Sequence, residues 1–193
     1  MPDSRLSGQL EKLVRGSPWM MGILTAVRAS ALPDWLVGAG ALRDLVWDEM
    51  HAGFDPAQVK DVDVAFFDPD DLSPARDELA EAVLRSSRPD VRWDVKNQAA
   101  VHLWYESRFG VAVEPLTSVA DGVGTWPETA TSVGLRLQVD DRLEIVAPCG
   151  LDDLLGGVCR RNPRRVTTEE YRRRLQRKNV AQRWPKVRVV DLR

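Results

Sequence analysis

The stretch Trp35-Leu36-Val37-Gly38-Ala39-Gly40-Ala41-Leu42-Arg43-Asp44 decides how the rest of the chain is read. Its apolar start predicts a short strand, its two glycines a sharp turn, and Ala41 to Met50 a helix. A turn of this kind exposes backbone N–H groups at a helix N-terminus, where phosphate oxygens are accepted, and Arg43 in the first turn could add charge. Arg43 also stands where the third glycine of a dinucleotide fingerprint belongs, so that motif is excluded. Taken alone, two glycines at a strand–helix junction are more often a structural turn than a ligand site.

A polar loop over 51–60 leads to Asp61-Val62-Asp63-Val64-Ala65-Phe66-Phe67, whose alternation and apolar end predict a second strand. Residues two apart in a strand share a face, so Asp61 and Asp63 converge. Two carboxylates at such range repel, and one stays protonated unless a cation sits between them. Mg²⁺ is the natural cation, because it prefers oxygen ligands and shares its shell with substrate phosphates. The plain alternative is a solvated strand face. A third strand over 91–95 carries Asp94, a candidate general base or further metal ligand. Lys96, Asn97 and Gln98 open the following helix, where they suit phosphate contacts and ordinary capping equally.

Working outward, Leu6, Leu10, Leu13 and Val14 repeat at helical spacing, and Ser17-Pro18 opens a second helix to about Ser30. Ser73-Pro74 begins a helix to about Ser87. Val133 to Val139 and Leu143 to Val146 read as a hairpin around Asp140-Asp141. A short helix is expected over 151–158. Thr167 and Glu170 form a capping box for an Arg-rich helix that ends at Trp184-Pro185. The fold class is α+β: a short mixed sheet flanked by helices, with N-terminal helices and a basic C-terminal helix. One domain is expected over 1–193, its core at about 17–146 and a basic helical segment at about 150–193.

The chain has 193 residues, 44% apolar and 29% charged, the balance of a water-soluble domain. No run reaches the roughly 20 apolar residues of a membrane helix, and Asp3, Arg5, Glu11 and Lys12 break up any signal-peptide core. A cytoplasmic location without membrane partners follows as the expectation. Cys149 and Cys159 have no second pair to complete a zinc site and are expected as buried free thiols. The net charge of −2 is unevenly placed. From Arg160 onward thirteen basic residues face three acidic ones, which leaves −12 for residues 1–159. That basic tail reads as a solvated face or as a platform for phosphates or nucleic acid. His102 is expected to be a satisfied structural histidine.

Together, a Gly turn before a helix, Asp-x-Asp on the next strand and an Asp on a third resemble the DNA polymerase β-type nucleotidyltransferase superfamily. The chain is more closely similar to a bacterial nucleotidyltransferase-like family within it. That resemblance rests on Val37-Gly38-Ala39-Gly40-Ala41-Leu42-Arg43-Asp44 with Trp47-Asp48, Lys60-Asp61-Val62-Asp63-Val64, and Trp93-Asp94-Val95-Lys96-Asn97-Gln98-Ala99. Trp126-Pro127-Glu128-Thr129-Ala130-Thr131, Ala147-Pro148-Cys149-Gly150-Leu151-Asp152-Asp153-Leu154 and Arg183-Trp184-Pro185 extend it over roughly 17–190. At the middle of the turn stands Ala39, where the superfamily usually has Gly or Ser.

The resemblance implies a minimal nucleotidyltransferase core. Gly38, Ala39 and Gly40, with Arg43 and Lys96, would bind a nucleoside triphosphate. Asp61, Asp63 and Asp94 would be catalytic and hold two Mg²⁺ ions. The reaction implied moves a nucleoside monophosphate to an acceptor hydroxyl and releases pyrophosphate. The acceptor (a small molecule, an RNA end or a protein side chain), the base preference and the oligomeric state stay open. The alternative is a catalytically inactive nucleotide-binding or RNA/protein-interaction module on the same fold. The intact Asp61, Asp63 and Asp94 speak against it.

Overall fold

Side-chain caps set where the first helices begin. A computed structural model describes residues 3–190, so the outermost residues of the expected 1–193 domain lie outside the described residues. Helix α1 (Ser4–Gly16) starts at Asp3, whose carboxylate accepts from the Arg5 amide. Ser17 Oγ accepts from the Met20 amide and opens α2 (Pro18–Ala29), with Pro18 where a missing N–H leaves nothing unpaired. Leu6, Leu10 and Val14 of α1 and Met20, Ile23, Leu24 and Val27 of α2 form the buried stripes expected of amphipathic helices.

Five strands make one sheet in the order β3-β2-β1-β4-β5. They are β1 (Leu36–Gly38), β2 (Val62–Phe66), β3 (Trp93–Asn97), β4 (Gly134–Leu137) and β5 (Leu143–Val146). β2 and β3 run parallel and the other neighbours antiparallel, so the sheet is mixed, as expected. Helix α3 (Ala39–Glu49) follows β1 directly, and α4 (Pro74–Ser87) makes the crossover from β2 to β3. Helices α5 (Val101–Phe109) and α6 (Val119–Val123) precede β4. After the hairpin come α7 (Asp152–Leu155), β6 (Val158–Arg160), α8 (Thr168–Lys178), α9 (Val180–Arg183) and β7 (Arg188–Val190).

The period of two sorts the strand residues between two faces. Val37, Val62, Val64, Phe66 and Val95 join the main core together with α1, α2 and α3. Leu36 and Ala65 point the other way, into a small cluster with Val119, Val123, Trp126 and Val146. Asp61, Asp63, Asp94 and Lys96 share that second, thinly covered face. Leu151, Leu154, Tyr171, Val180 and Trp184 belong to the same main core as Val37 and Leu45, so the basic C-terminal segment is built into the packing.

Several expectations need correction. Strand β3 starts and ends two residues later than its apolar run implies, because parallel pairing with β2 extends from Val62↔Trp93 to Phe66↔Asn97. Lys96 therefore lies in the strand, on the face of Asp94, and not at a helix start. The helix over 151–158 stops at Leu155, since Val158–Arg160 pairs in parallel with Arg188–Val190. The Arg-rich helix breaks before Trp184: Asn179, at φ 50°, takes the left-handed conformation that ends α8. Cys159 is a buried thiol, but Cys149 is exposed. Among the described residues no helix is long and apolar enough to cross a membrane.

Candidate active site

Pairing across three strands aligns Gly38 of β1, Asp63 of β2 and Asp94 of β3 in one row. Asp61, two residues before Asp63, falls on the same face. Above the row the chain turns from β1 into α3. Gly38 is required there by packing: a Cβ would stand 2.1 Å from the Val133 carbonyl oxygen. Ala39 sits at φ 52°, a left-handed conformation that costs an alanine roughly 1 kcal/mol. Gly40 differs from Gly38. A Cβ there would meet Asp63 Oδ2 at 3.7 Å and Arg43 Nη2 at 3.9 Å, both ordinary contacts. The Gly40 amide donates a long hydrogen bond, 3.4 Å, to Asp63 Oδ2.

Asp63 carries the strongest electrostatic signature of the row. Burial raises its pKa to about 6, Asp61 and Asp94 push it the same way, and the Gly40 amide and Lys178 only partly offset them. No arginine or lysine lies within ion-pair distance of Asp61 or Asp63 among the described residues. Like charges collected on one face, with one carboxyl half-protonated near pH 6, are what a hard divalent cation would relieve. The donor set is all oxygen and suits Mg²⁺. As the side chains stand, no group of three acidic, His or Cys residues closes into an ion cage among the described residues. Asp94 is exposed and pairs with Lys96 Nζ at 3.3 Å, while that ammonium donates to the Val95 carbonyl at 2.9 Å.

Arg43 is only 7% exposed and is held beneath the turn. Its Nε and Nη2 donate to Asp44 Oδ1 at 3.0 and 2.5 Å, and its guanidinium lies 4.9 Å from the Trp184 ring centre. Trp184 is fixed in turn, its Nε1 donating to Asp48 Oδ1 at 2.6 Å, and Arg183 pairs with both Asp44 and Asp48. His51, expected as a loop residue, accepts at Nε2 from the Lys186 amide at 3.0 Å. His102 departs from expectation: its buried Nδ1 has no hydrogen-bond partner among the described residues.

One buried carboxylate escaped the sequence reading as a charged group. Glu128, 3% exposed, accepts from Arg174 Nε at 3.0 Å and has Lys178 Nζ at 3.9 Å. Burial alone would raise its pKa, but Lys178, Arg174 and Arg43 together outweigh burial and hold it at about 2. Lys178 is pulled down to about 8 by burial, with Glu128 opposing and Arg43 and Arg174 assisting. The available signal was periodicity: Arg174 and Lys178 are four apart and lie on the Tyr171 face of α8. Three other arginines of that helix, Arg172, Arg173 and Arg177, are exposed, and Arg173 pairs with Glu169 one turn back.

A family model described as nucleotidyltransferase matches residues 25–189. The chain is similar to a protein whose NMR structure is described as revealing a CCA-adding enzyme head domain. The two share 32% identity over 96% of each chain, with a TM-score of 0.79. It is also similar to a CCA-adding enzyme solved in complex with CTP, at 16% identity and a TM-score of 0.54. That match covers 98% of this chain and 43% of the other, and it speaks for the fold alone. No curated protein matches the chain.

Proposed function

The chain belongs to the nucleotidyltransferase family, and from that premise we propose that it moves a nucleoside monophosphate from a triphosphate to an acceptor hydroxyl, releasing pyrophosphate. One observation supports the reading: Gly38, Asp63 and Asp94 stand in one row, with Asp63 half-buried among like charges and, among the described residues, in no ion pair with an Arg or Lys. Asp61, Asp63 and Asp94 would hold Mg²⁺, two ions by analogy with the superfamily. Bound there, Mg²⁺ supplies Lewis acidity to phosphate oxygens.

The remaining roles fall to the chain itself. The Gly40 amide and the start of α3 donate to the phosphate oxygens, because the absent side chain lets oxygen approach the backbone. Arg43 contributes positive field from beneath the turn. Asp94, exposed on β3, takes the proton of the attacking hydroxyl, and Lys96 beside it offers a cation to the phosphates. CTP is the first nucleotide to try, since a structural relative was solved with it.

The test is mass spectrometry of products after incubation with each of the four NTPs, Mg²⁺ and an extract of metabolites or RNA. Nucleotidylated products that vanish in Asp63→Asn are expected. No adduct with any NTP, or full activity in Asp63→Asn, would overturn the assignment.

A further inference from the structure

Across the whole sheet, the row that holds the carboxylates runs Asp94, Asp63, Gly38, Gly134, Val146, one residue from each strand. It passes from charge, through two glycines, to an apolar side chain. Trp126 fills the space beside the first glycine: a Cβ on Gly38 would stand 3.0 Å from its Cζ3. The indole therefore lies against β1, one strand spacing of about 4.8 Å from β2 and Asp63. It packs on Leu36, Ala65 and Val123, where Leu36 and Ala65 share the sheet face of Gly38 and Asp63.

Two features set this tryptophan apart. Trp47, Trp93 and Trp184 each donate the indole N–H, to the Leu154 carbonyl, the Arg88 carbonyl and Asp48 Oδ1. The half-buried Trp126 makes no such bond among the described residues, so its donor is open. Its main chain, by contrast, is fixed on both sides. The Trp126 amide donates to the Val123 carbonyl at 3.2 Å, and its own carbonyl accepts from Asn162 Nδ2 at 2.9 Å and Ser132 Oγ at 3.3 Å. A flat ring held in place before a ligand arrives loses little freedom on binding.

We propose that Trp126 is the platform on which the base of the donor nucleotide stacks. The proposal rests on the nucleotidyl-transfer reading above and deepens it by naming the nucleoside subsite. The order of the row supports the choice. Asp94, given the proton of the attacking hydroxyl, lies on the β3 side of Asp63, so the acceptor comes from there. Trp126 lies on the β1 side, which is left for the donor. A nucleoside triphosphate is charged at one end and flat at the other, and the row changes character in the same sense. Stacking tolerates every base, because each has a π-face, so the platform serves all four nucleosides alike.

The experiment is calorimetric binding of the four NTPs and of inorganic tripolyphosphate, with Mg²⁺, to the full chain and its variants. Trp126→Leu keeps an apolar side chain over Leu36 and Val123 but removes the flat ring. It is expected to weaken each NTP that the parent binds about tenfold and to leave tripolyphosphate within about twofold, and Trp126→Phe to restore most of the loss. A tryptophan that only props the turn would weaken tripolyphosphate as much as the NTPs. That result, or unchanged NTP affinity in a folded Trp126→Leu, would overturn the platform and leave the nucleotidyl-transfer reading standing. A parent that binds no NTP would take down both.

Should Trp126→Leu fail to fold, ¹⁹F NMR of the parent protein labelled with fluorotryptophan decides. The chain has seven tryptophans, so the signals are few, and that of Trp126 is the one missing from Trp126→Phe. It should move on addition of an NTP and stay on addition of tripolyphosphate. A Trp126 signal that ignores a bound NTP, or follows tripolyphosphate equally, would count against the platform.

Discussion

Asp63, half-buried on β2, and Glu128, buried against α8, are both carboxylates, and they behave in opposite ways. Asp63 is surrounded by Asp61 and Asp94 and its pKa rises to about 6. Glu128 is surrounded by Lys178, Arg174 and Arg43 and its pKa falls to about 2. Burial works against the charge in both places, so the neighbours decide the sign. What the contrast teaches is a division of labour. The Asp63 row carries charge that the fold leaves unsatisfied, as a metal and phosphate site requires. The Glu128 nest is satisfied from within and ties α8 to the segment that carries Glu128.

The largest expected effect breaks this contrast at Asp63. Asp63→Asn should lower kcat/KM at least ~10³-fold, about 4 kcal/mol of transition-state stabilisation. It should also make the protein more stable. A carboxyl whose folded-state pKa lies above its unfolded value of 3.8 binds more protons when folded, so stability declines as pH rises from about 4 through 6. Removing the charge recovers up to about 3 kcal/mol at pH 8, from roughly two pKa units at 1.36 kcal/mol each. Urea denaturation at pH 5 and pH 8 measures it. An Asn variant less stable than the parent at pH 8 would mean that burial and like-charge crowding do not destabilise the ionised Asp63.

At Glu128 the sign reverses. Glu128→Gln leaves Arg174 and Lys178 without their counter-charge and should cost about 3 kcal/mol, the scale for breaking a buried pair from one side. In the parent this stabilisation is present above pH 4.5 and is lost as pH falls toward 2. The acid limb of the parent's stability curve should therefore be steeper than that of the variant. A loss under 1 kcal/mol at pH 7 would make the nest a bystander.

The two glycines sharpen the comparison further. Gly40→Ala adds a methyl at ordinary contact distance from Asp63 and Arg43, so the domain should fold while nucleotide affinity drops about tenfold, or ~1.4 kcal/mol. Gly38→Ala sets a Cβ against the Val133 carbonyl and should not yield native protein at all. Circular dichroism with CTP titration separates the cases, and normal CTP binding by Gly40→Ala would clear the turn of any role. The smallest effect is at Ala39. Ala39→Gly relieves a positive φ and should stabilise the fold by about 0.5 kcal/mol, once the greater freedom of glycine in the unfolded chain is counted. A fall in melting temperature would contradict the strain argument.

How much of the site could be read in advance followed from how local its causes are. Asp61 and Asp63 on one face is a consequence of a two-residue period, and any strand at that position delivers it. The cap at Ser17 and the box at Thr167 and Glu170 are likewise relations within one turn, and both formed. Lys96 was misread because the end of β3 depends on its partner strand: pairing to Phe66 carries the strand past the apolar run. Gly38 was legible as a glycine but not for its reason, which is a carbonyl from a residue almost a hundred positions away.

The sequence by itself determined the mixed sheet, the turn before α3 and the convergence of carboxylates, because periodicity, capping and turn chemistry act over a few residues. Only the tertiary structure decided which cations meet those carboxylates. Arg43 looks free in the sequence, yet in the fold Asp44 and the ring of Trp184 hold it under the turn. Arg172, Arg173 and Arg177 look identical to Arg174 along the chain, but the burial of Tyr171 rotates α8 so that Arg174 and Lys178 alone face Glu128. A charge acts through space over a few ångströms, and that distance is set by packing between segments far apart in sequence.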